Sequence, residues 1–167
     1  MTGMNTGINR PERGDRLIKE RVHDPYKAQA KLPEPTVCPD CRAVFSSGRW
    51  QWLDKSPADA HEHRCPACQR IHDKVPAGYL TLSGEFFQQH RDEIMKLMHN
   101  RVEAEKAEHP LNRMMGVGEQ PDGGTLVTFT DMHLPRGVGE AIEHAYKGEL
   151  DIQYTPEADS LRVTWKR

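Results

Sequence analysis

Four cysteines are the residues of this chain whose spacing most clearly indicates chemistry. They form two pairs, "CPDC" at Cys38 and Cys41 and "CPAC" at Cys65 and Cys68, with residues 42–64 between them. Two residues within each pair allow a tight knuckle in which both thiolates point inward. Four inward thiolates complete a closed tetrahedron around Zn²⁺. The sequence therefore predicts a structural zinc site with these four ligands.

Other chemistry of cysteine pairs fits this spacing less well. An iron–sulfur cluster also uses four thiolates, but the long loop and the absence of a cluster-type cysteine run favour zinc. A thioredoxin-type pair would have to open a helix in a βαβ unit, which neither pair is expected to do. A zinc deaminase resembles "HEHRCPAC", but its two elements are well separated and its three protein ligands leave room for water. Because a fourth cysteine closes the site here, we expect His61, His63 and His72 on the surface, and a scaffold rather than a catalyst.

The rest of the chain divides around the cysteines into three segments. Residues 1–36 lack any sustained period and end in "KLPEPT", which predicts an extended basic N-terminal tail. Residues 37–78 form the predicted zinc ribbon, and residues 79–167 a predicted α+β domain. The fold class is therefore α+β, with a four-cysteine ribbon preceding the larger domain.

Within the α+β domain, helical and alternating patterns follow one another twice. After a short strand, "GYLTLSG", apolar residues at helical spacing from Phe86 to Val102 predict one long helix. A hairpin turning at "PDGG" follows, then a second helix ending at Gly148, then a hairpin of "LDIQY" and "LRVTW". Two helix–hairpin units result, in which an antiparallel sheet is covered by helices on one face and is polar on the other.

Basic and aromatic residues near the cysteines have the mixture that contacts phosphates and stacks on nucleic-acid bases. The predicted RNA contacts are Arg10, Arg13, Arg16, Lys19, Arg21, Lys27 and Lys31 in the tail, and Arg42, Arg49, Trp50, Arg64 and Arg70 in the ribbon. Two alternatives stay open. The tail, with its interleaved acids, is also typical of a solvated arm. Trp50 and Trp52 could instead cover the small core of the ribbon.

The order of motifs resembles a known family. A Cys-x-x-Cys ribbon with Gly48 and Trp50 after its first pair, a second pair followed by Arg70, then a helix, a "DG" hairpin, a helix and a strand with Tyr154 resemble part of the large-subunit ribosomal export adaptor of archaea and eukaryotes. This family is the zinc-ribbon type associated with nonsense-mediated decay. The similarity covers about residues 37–167 in the order of elements.

The resemblance implies a protein that binds ribosomal RNA on the large subunit near the tRNA sites. It would act by occupancy in ribosome assembly, quality control or dormancy under stress, that is, hibernation. The chain lacks the additional N-terminal cysteine pairs of the adaptor and its further domains with transport signals, so nuclear export is not expected.

Composition and motifs limit the other functions. The net charge is −2, and residues 79–167 hold 10 Lys/Arg against 15 Asp/Glu, so any nucleic-acid site must be local. No apolar run is long enough to span a membrane and no secretory signal is evident, so we expect a cytoplasmic protein without a membrane partner. A DNA-binding or transcription-associated adaptor is the alternative. We expect no enzyme and no small-molecule substrate, because Asp131 beside His133 is explained by a helix cap.

Overall fold

The structure, a computed structural model, describes Tyr26 and residues 31–167. It contains two units, which we call the ribbon (residues 36–73) and the body (residues 78–166). The tail residues 1–25 and 27–30, with the six basic residues predicted there, lie outside the described residues. The first strand begins at Thr36, one residue before the predicted start of the ribbon.

The ribbon is built from four short strands and one helix. They are β1 (Thr36–Val37), β2 (Val44–Ser46), β3 (Arg49–Gln51), β4 (His61–Glu62) and α1 (Pro66–Asp73). The sheet order is β3-β2-β1-β4, with β1 antiparallel to β2 and parallel to β4. Ser47 and Gly48, both with positive φ, turn the chain between β2 and β3, as tight hairpins require.

The parallel pairing of β1 with β4 explains how the two cysteine pairs meet. Cys38 directly follows β1, and Cys65 follows β4 after a gap of two residues. Two parallel neighbouring strands end at the same edge of a sheet. Both knuckles therefore start side by side, although they are far apart in sequence.

The body is a five-stranded sheet with helices on one face. Its elements are β5 (Gly78–Ser83), α2 (Glu85–Gln89), α3 (Arg91–Glu108), β6 (Met114–Glu119), β7 (Thr125–Phe129), α4 (His133–Tyr146), β8 (Glu149–Thr155) and β9 (Ser160–Lys166). Both predicted hairpins, β6–β7 and β8–β9, are present. The α+β class predicted from the sequence is confirmed.

The sheet is mixed, which corrects the prediction of a purely antiparallel one. Its order is β6-β7-β5-β9-β8, and β5 pairs antiparallel with β7 but parallel with β9. After α4 the chain enters at the edge as β8 and turns back, so β9 reaches β5 running in the same direction. Helical connections permit such parallel neighbours.

The single long helix predicted from Phe86 onward is bent in the structure. His90 has φ −115° and ψ 21°, and it separates α2 from α3. Backbone hydrogen bonds from His90 N to Phe86 O (3.0 Å) and from Ile94 N to His90 O (3.1 Å) continue across the bend. The His90 ring stacks on Phe86 with centroids 4.2 Å apart. The two helices therefore behave as one bent element that keeps one apolar face on the sheet.

The core of the body lies between this face, α4 and the sheet. Its buried side chains come from every layer, and they include Leu80, Leu82, Phe87, Ile94, Met98, Val102, Val127, Phe129, Leu134, Val138, Ile142, Leu161, Val163 and Trp165. Trp165 is fully buried, and its indole N–H donates to Lys147 O at 2.6 Å. Lys147 and Gly148 have positive φ and end α4, as predicted for the glycine.

Among Tyr26 and residues 31–167, no helix combines the length and apolar character needed to cross a bilayer.

Candidate metal centre

The four cysteines converge as their spacing predicts. Their Sγ atoms all lie within 4.8 Å of one another, and Cys41 Sγ is 3.8 Å from Cys65 Sγ. Cys38 and Cys65 are completely buried, Cys68 is nearly so, and Cys41 is half-buried. This arrangement is a compact, closed group of four soft ligands that could hold a metal ion.

The first knuckle follows β1 and is closed by its own backbone. Cys38 N donates to Ala43 O and Arg42 N donates to Cys38 O, both at 2.9 Å. Arg42 has φ 69°, which turns the chain back so that Ala43 N lies 3.5 Å from Cys41 Sγ. The backbone thus directs an N–H group at a sulfur, a contact that favours the thiolate form.

The second knuckle opens helix α1. Cys65 is the N-cap residue, Pro66 takes the first helical position, and Cys68 N lies 3.4 Å from Cys65 Sγ. We expected neither pair to open a helix within a βαβ unit, and this expectation is confirmed, although the second pair does open a helix. The strands on either side of α1 belong to different sheets, so no βαβ unit of the thioredoxin type is formed.

Contacts between the knuckles hold them face to face. Cys65 N lies 3.3 Å from Cys38 Sγ. Arg64 Nε and Asp40 Oδ2 form an ion pair at 2.6 Å, from the residue before the second pair to a residue inside the first. Both side chains are about a third to a half exposed, so we expect this ion pair to contribute only modestly to stability. Its main effect should be to align the two knuckles with each other.

An arginine of the body completes the surroundings of the sulfurs. Arg113, 8% exposed, donates from Nη1 to Cys68 Sγ at 3.1 Å and from Nη2 to Cys41 Sγ at 3.0 Å and to Cys65 Sγ at 3.4 Å. Its Nε donates to Pro110 O at 2.6 Å, which fixes the plane of the guanidinium. One cation from outside the ribbon therefore faces three of the four sulfurs.

The pKa values reflect this charge arrangement. The hydrogen bond from Cys65 lowers the pKa of Cys41 to about 4, despite burial, with further help from Ala43 N and the charge of Arg113. Burial raises the pKa of Cys68 to about 11, although the Arg113 hydrogen bond opposes it. Burial alone would lower the pKa of Arg113, but its bond to Cys68 and the charges of the sulfurs raise it overall. The guanidinium thus stays protonated beside a site that carries negative charge.

The donor set fits a tetrahedral metal ion. Bonds of about 2.3 Å from one ion to four thiolates place neighbouring sulfurs about 3.8 Å apart. The separation of Cys41 and Cys65 Sγ, 3.8 Å, has this value. Four thiolates around a divalent ion carry a net charge of about −2, and the Arg113 cation would compensate part of that charge.

Tryptophans and the chain between α3 and β6 connect the ribbon to the body. The Trp52 indole N–H donates to Lys106 O at the end of α3 at 2.7 Å, and the Arg113 guanidinium lies 5.7 Å from the Trp52 ring centroid. Trp50 and Leu111 pack against the cysteines. Both tryptophans therefore take part in packing, and Trp50 stays half-exposed while doing so.

The structure separates the predicted RNA contacts that it describes into two kinds. Lys31, Arg42 and Arg49 are exposed, whereas Arg64 is held by Asp40. Arg70 is only 4% exposed, with its guanidinium 3.1 Å from Val75 O and stacked on Tyr26 at 4.3 Å. Arg70 therefore has a structural position, and we exclude it from the surface proposed below.

A groove lies between the ribbon hairpin β2–β3 and residues 107–112 of the body. We call it the ribbon groove. Its volume is about 740 Å³. Its walls combine aromatic rings with cationic and polar groups, among them Lys31, Phe45, Arg49, Trp50, His63, His109 and Asn112. Three of the residues predicted to contact RNA, Lys31, Arg49 and Trp50, thus line one cavity.

Arg113 and the segment 107–112 were not among the predicted site residues. Arg113 lies 45 positions after Cys68 and follows no motif. The only local signal is the proline-containing loop "HPLNR" between the long helix and the next strand, which predicts a connection but not its partner.

Asp131 is a helix cap, as the sequence indicates. Its Oδ2 accepts from His133 N at 2.9 Å and from Leu134 N at 3.1 Å, while its buried Oδ1 has no hydrogen-bond partner among the described residues. Burial raises the pKa of Asp131 to about 6, although both backbone bonds act in the opposite direction.

No protein-family model, curated protein or solved structure matches this chain. Its fold and site define it as an α+β protein with a four-cysteine cluster that could hold a metal ion.

Proposed function

We propose that this chain is a zinc-ribbon protein that binds ribosomal RNA on the large ribosomal subunit near the tRNA sites, in the cytoplasm, and acts by occupancy in assembly, quality control or dormancy. The observation that carries the RNA-binding part is a cationic and aromatic surface on the metal-linked ribbon. The ribosomal part is supported by the resemblance to the export adaptor family.

Zinc is the ion that this donor set favours. Four thiolates in a closed tetrahedral group are typical of structural zinc, and the ion then supplies cross-linking rather than catalysis. Cys38, Cys41, Cys65 and Cys68 would hold it, and Arg113 would compensate its charge. Because each strand of the ribbon has only two or three residues, the ion supplies stability that burial alone does not.

The exposed cations of the ribbon support contact with phosphates. Arg49 lies at the start of β3 and Arg42 in the first knuckle, and Arg42 Nη2 makes only a long contact of 3.4 Å to Ser56 Oγ. Their positions are fixed by the metal-linked backbone, so little order has to be gained on binding. The body, with its acidic excess, is then available for contacts with protein.

Co-sedimentation with large ribosomal subunits over a series of salt concentrations tests the proposal. We expect the full-length, metal-loaded chain to sediment with the subunits at low salt and to leave them at high salt, because each phosphate contact releases counterions. Replacing both Arg42 and Arg49 by Gln should weaken binding. The slope of log K against log salt concentration should also become shallower, by the amount expected for about two phosphate contacts. Arg136→Gln, a change of an exposed arginine on α4, is the control and should behave like wild type.

Two results would contradict the proposal. Recovery of the wild-type protein in the free fraction at every salt concentration excludes the ribosome as partner. Tighter binding to duplex DNA than to ribosomal RNA in direct competition points instead to the DNA-binding alternative.

A further inference from the structure

The ribbon groove has the size of a ligand site rather than of a packing defect. At about 740 Å³ it lies within the range of roughly 300–1,000 Å³ that small-molecule and cofactor sites occupy. One wall belongs to the ribbon hairpin and the other to residues 107–112 of the body, so the groove exists only while the two units are docked.

The ribbon wall presents an aromatic pair. Phe45 and Trp50 are directly opposite each other on β2 and β3, with ring centroids 5.6 Å apart at 61°. Such an edge-to-face pair leaves ring surface for a planar ligand. Trp50 also packs against the cysteine cluster, which limits the movement of its ring.

The two ribbon tryptophans differ in how their indole N–H groups are used. The N–H of Trp52 donates to Lys106 O, so this donor is already paired within the chain and helps to join the ribbon to the body. The N–H of Trp50 is not among the buried donors and acceptors without a partner in the described part of the chain, and Trp50 is half-exposed. This donor is therefore within reach of solvent and is available to acceptor atoms of a ligand in the groove.

The charges around the groove favour an anionic ligand. Lys31 and Arg49 are exposed cations on its lining, and Glu108 is the only carboxylate among the described residues that line it. His63 and His109 add ring nitrogens that can donate or accept. An aromatic wall, polar edge groups and cations at the rim are together the requirements for a nucleotide.

We infer that the ribbon groove binds one unstacked nucleotide of single-stranded RNA, with its base against Trp50 and its phosphate near Arg49. This inference deepens the proposed function and rests on it. A base inside a duplex is stacked on both sides and would have to be flipped out at a cost of a few kcal/mol. The groove therefore selects single-stranded segments such as loops, while Arg42 contacts the backbone outside it.

The test compares three RNA probes on the full-length, metal-loaded protein. They are a short single-stranded RNA, the same strand with abasic sites, and a duplex of the same length, each followed by fluorescence anisotropy at one salt concentration. We expect the intact strand to bind about tenfold more tightly than the abasic strand, which is the loss typical of one stacked base. The duplex should bind no more tightly than the abasic strand.

A filling substitution addresses the groove without removing any packed side chain. Ala107 is exposed on α3 and lines the ribbon groove, whereas Ala104, also exposed on α3, lines the cleft between α3 and α4. Ala107→Trp should lower affinity for the intact strand about tenfold and leave the abasic strand unaffected. Ala104→Trp is the matched control and should bind like wild type. Trp50→Leu should repeat the Ala107→Trp result, provided that it retains one metal ion per chain.

The outcomes distinguish the inference from the proposed function. Equal affinity for intact and abasic strands, equal affinity for the duplex, or a wild-type result for Ala107→Trp would overturn the groove as a base site while salt-dependent RNA binding persists. Failure of the wild-type protein to bind any of the three probes would instead overturn the proposed function itself.

Discussion

The ribbon and the body differ in how much apolar surface they bury. In the body, 14 buried apolar side chains from all layers form one core. In the ribbon, the cluster around the sulfurs contains Cys38, Cys65, Ala67 and Cys68 as its buried members. A unit with so little apolar surface cannot offset the loss of chain entropy by burial alone. The body is therefore stabilised by its own packing, whereas under our proposal the ribbon is stabilised by a bound ion.

The contacts between the two units involve both the packed body and the sulfur cluster. Arg113 belongs to the body by position, since Arg113 N donates to Thr130 Oγ1 at 2.9 Å, but its guanidinium belongs to the sulfur cluster. Trp52 makes the reciprocal contact from the ribbon to α3. Loss of the ion should therefore affect the docking of the units as well as the fold of the ribbon.

Loss of one ligand should have the largest effect and should be confined to the ribbon. Cys38→Ser removes a buried sulfur, and we expect loss of stoichiometric metal together with most of an apparent binding free energy of about 10–16 kcal/mol. Hydrogen exchange should show loss of protection in residues 36–73 and retained protection in β5, β7 and β9. Ser56→Ala, at an exposed ribbon position, is the control. Loss of protection throughout both units would show that the body does not fold independently of the ion.

The converse change should destabilise the body without releasing metal. Phe87→Ala leaves a cavity in the core, and we expect a loss of about 3–5 kcal/mol in the free energy of unfolding. Val117→Ala, at an exposed position of the edge strand β6, should change it by about 0.5 kcal/mol or less. Denaturant unfolding followed by the signal of buried Trp165, with the metal content measured in parallel, checks both variants. Stoichiometric loss of metal in folded Phe87→Ala would contradict the separation of the two units.

Arg113 allows the connection between the units to be measured. Arg113→Gln keeps polarity but removes the charge beside the sulfurs, and we expect metal affinity to fall about 10–100-fold, as is usual for groups that orient or neutralise metal ligands. The metal affinity of Arg113→Lys should lie between those of wild type and Arg113→Gln, because an ammonium group keeps the charge without the planar guanidinium. Competition with a chromophoric chelator gives the affinities.

Arg101→Gln, at an exposed position on α3, controls for the loss of one positive charge. Unchanged metal affinity in Arg113→Gln would mean that the guanidinium packs against the sulfurs without stabilising the bound ion.

The smallest effect is a pH dependence that belongs to the body alone. Because burial raises the pKa of Asp131 from 3.8 to about 6, the folded state binds this proton more tightly than the unfolded state. The contribution of Asp131 to stability therefore falls as the pH rises from about 4 to about 6, and it is constant above that range. Asp131→Asn keeps a cap acceptor without the charge, so we expect about 1–2 kcal/mol of added stability at pH 7.

The difference in unfolding free energy between wild type and Asp131→Asn should vanish below about pH 3, where the carboxyl group is protonated in both states. Asp131→Ala, which has no acceptor for the backbone of α4, should be less stable than Asp131→Asn at every pH. A stability difference that does not change between pH 4 and pH 7 would contradict the raised pKa.

Local patterns predicted much of the fold. Two cysteine pairs of identical spacing predicted the four-sulfur cluster, and "PDGG" predicted the turn of the first hairpin of the body, where Asp122 Oδ1 accepts from Gly124 N at 2.8 Å. In each case the residues that determine the geometry lie within a few positions of one another. The helix cap at Asp131 was predictable for the same reason.

Features that depend on distant partners were not predictable. The parallel pairing of β5 with β9 joins Gly78 to Leu161, and no periodicity in either strand specifies that partner. Arg113 has no motif because its role comes from the docking of the units. The burial of Arg70 has the same origin, since its ring partner Tyr26 precedes the ribbon. A charged residue beside a knuckle predicts a surface only where nothing else in the fold covers it.

The central claim is that all four sulfurs grip one ion and thereby give the ribbon its shape. Metal analysis of the purified, reduced full-length protein, combined with thiol titration by a chromogenic disulfide, tests it most directly. We predict one zinc ion per chain and four thiols that react only after a strong chelator is added. A protein that carries no stoichiometric ion, or whose four thiols react at once without chelator, would contradict the claim.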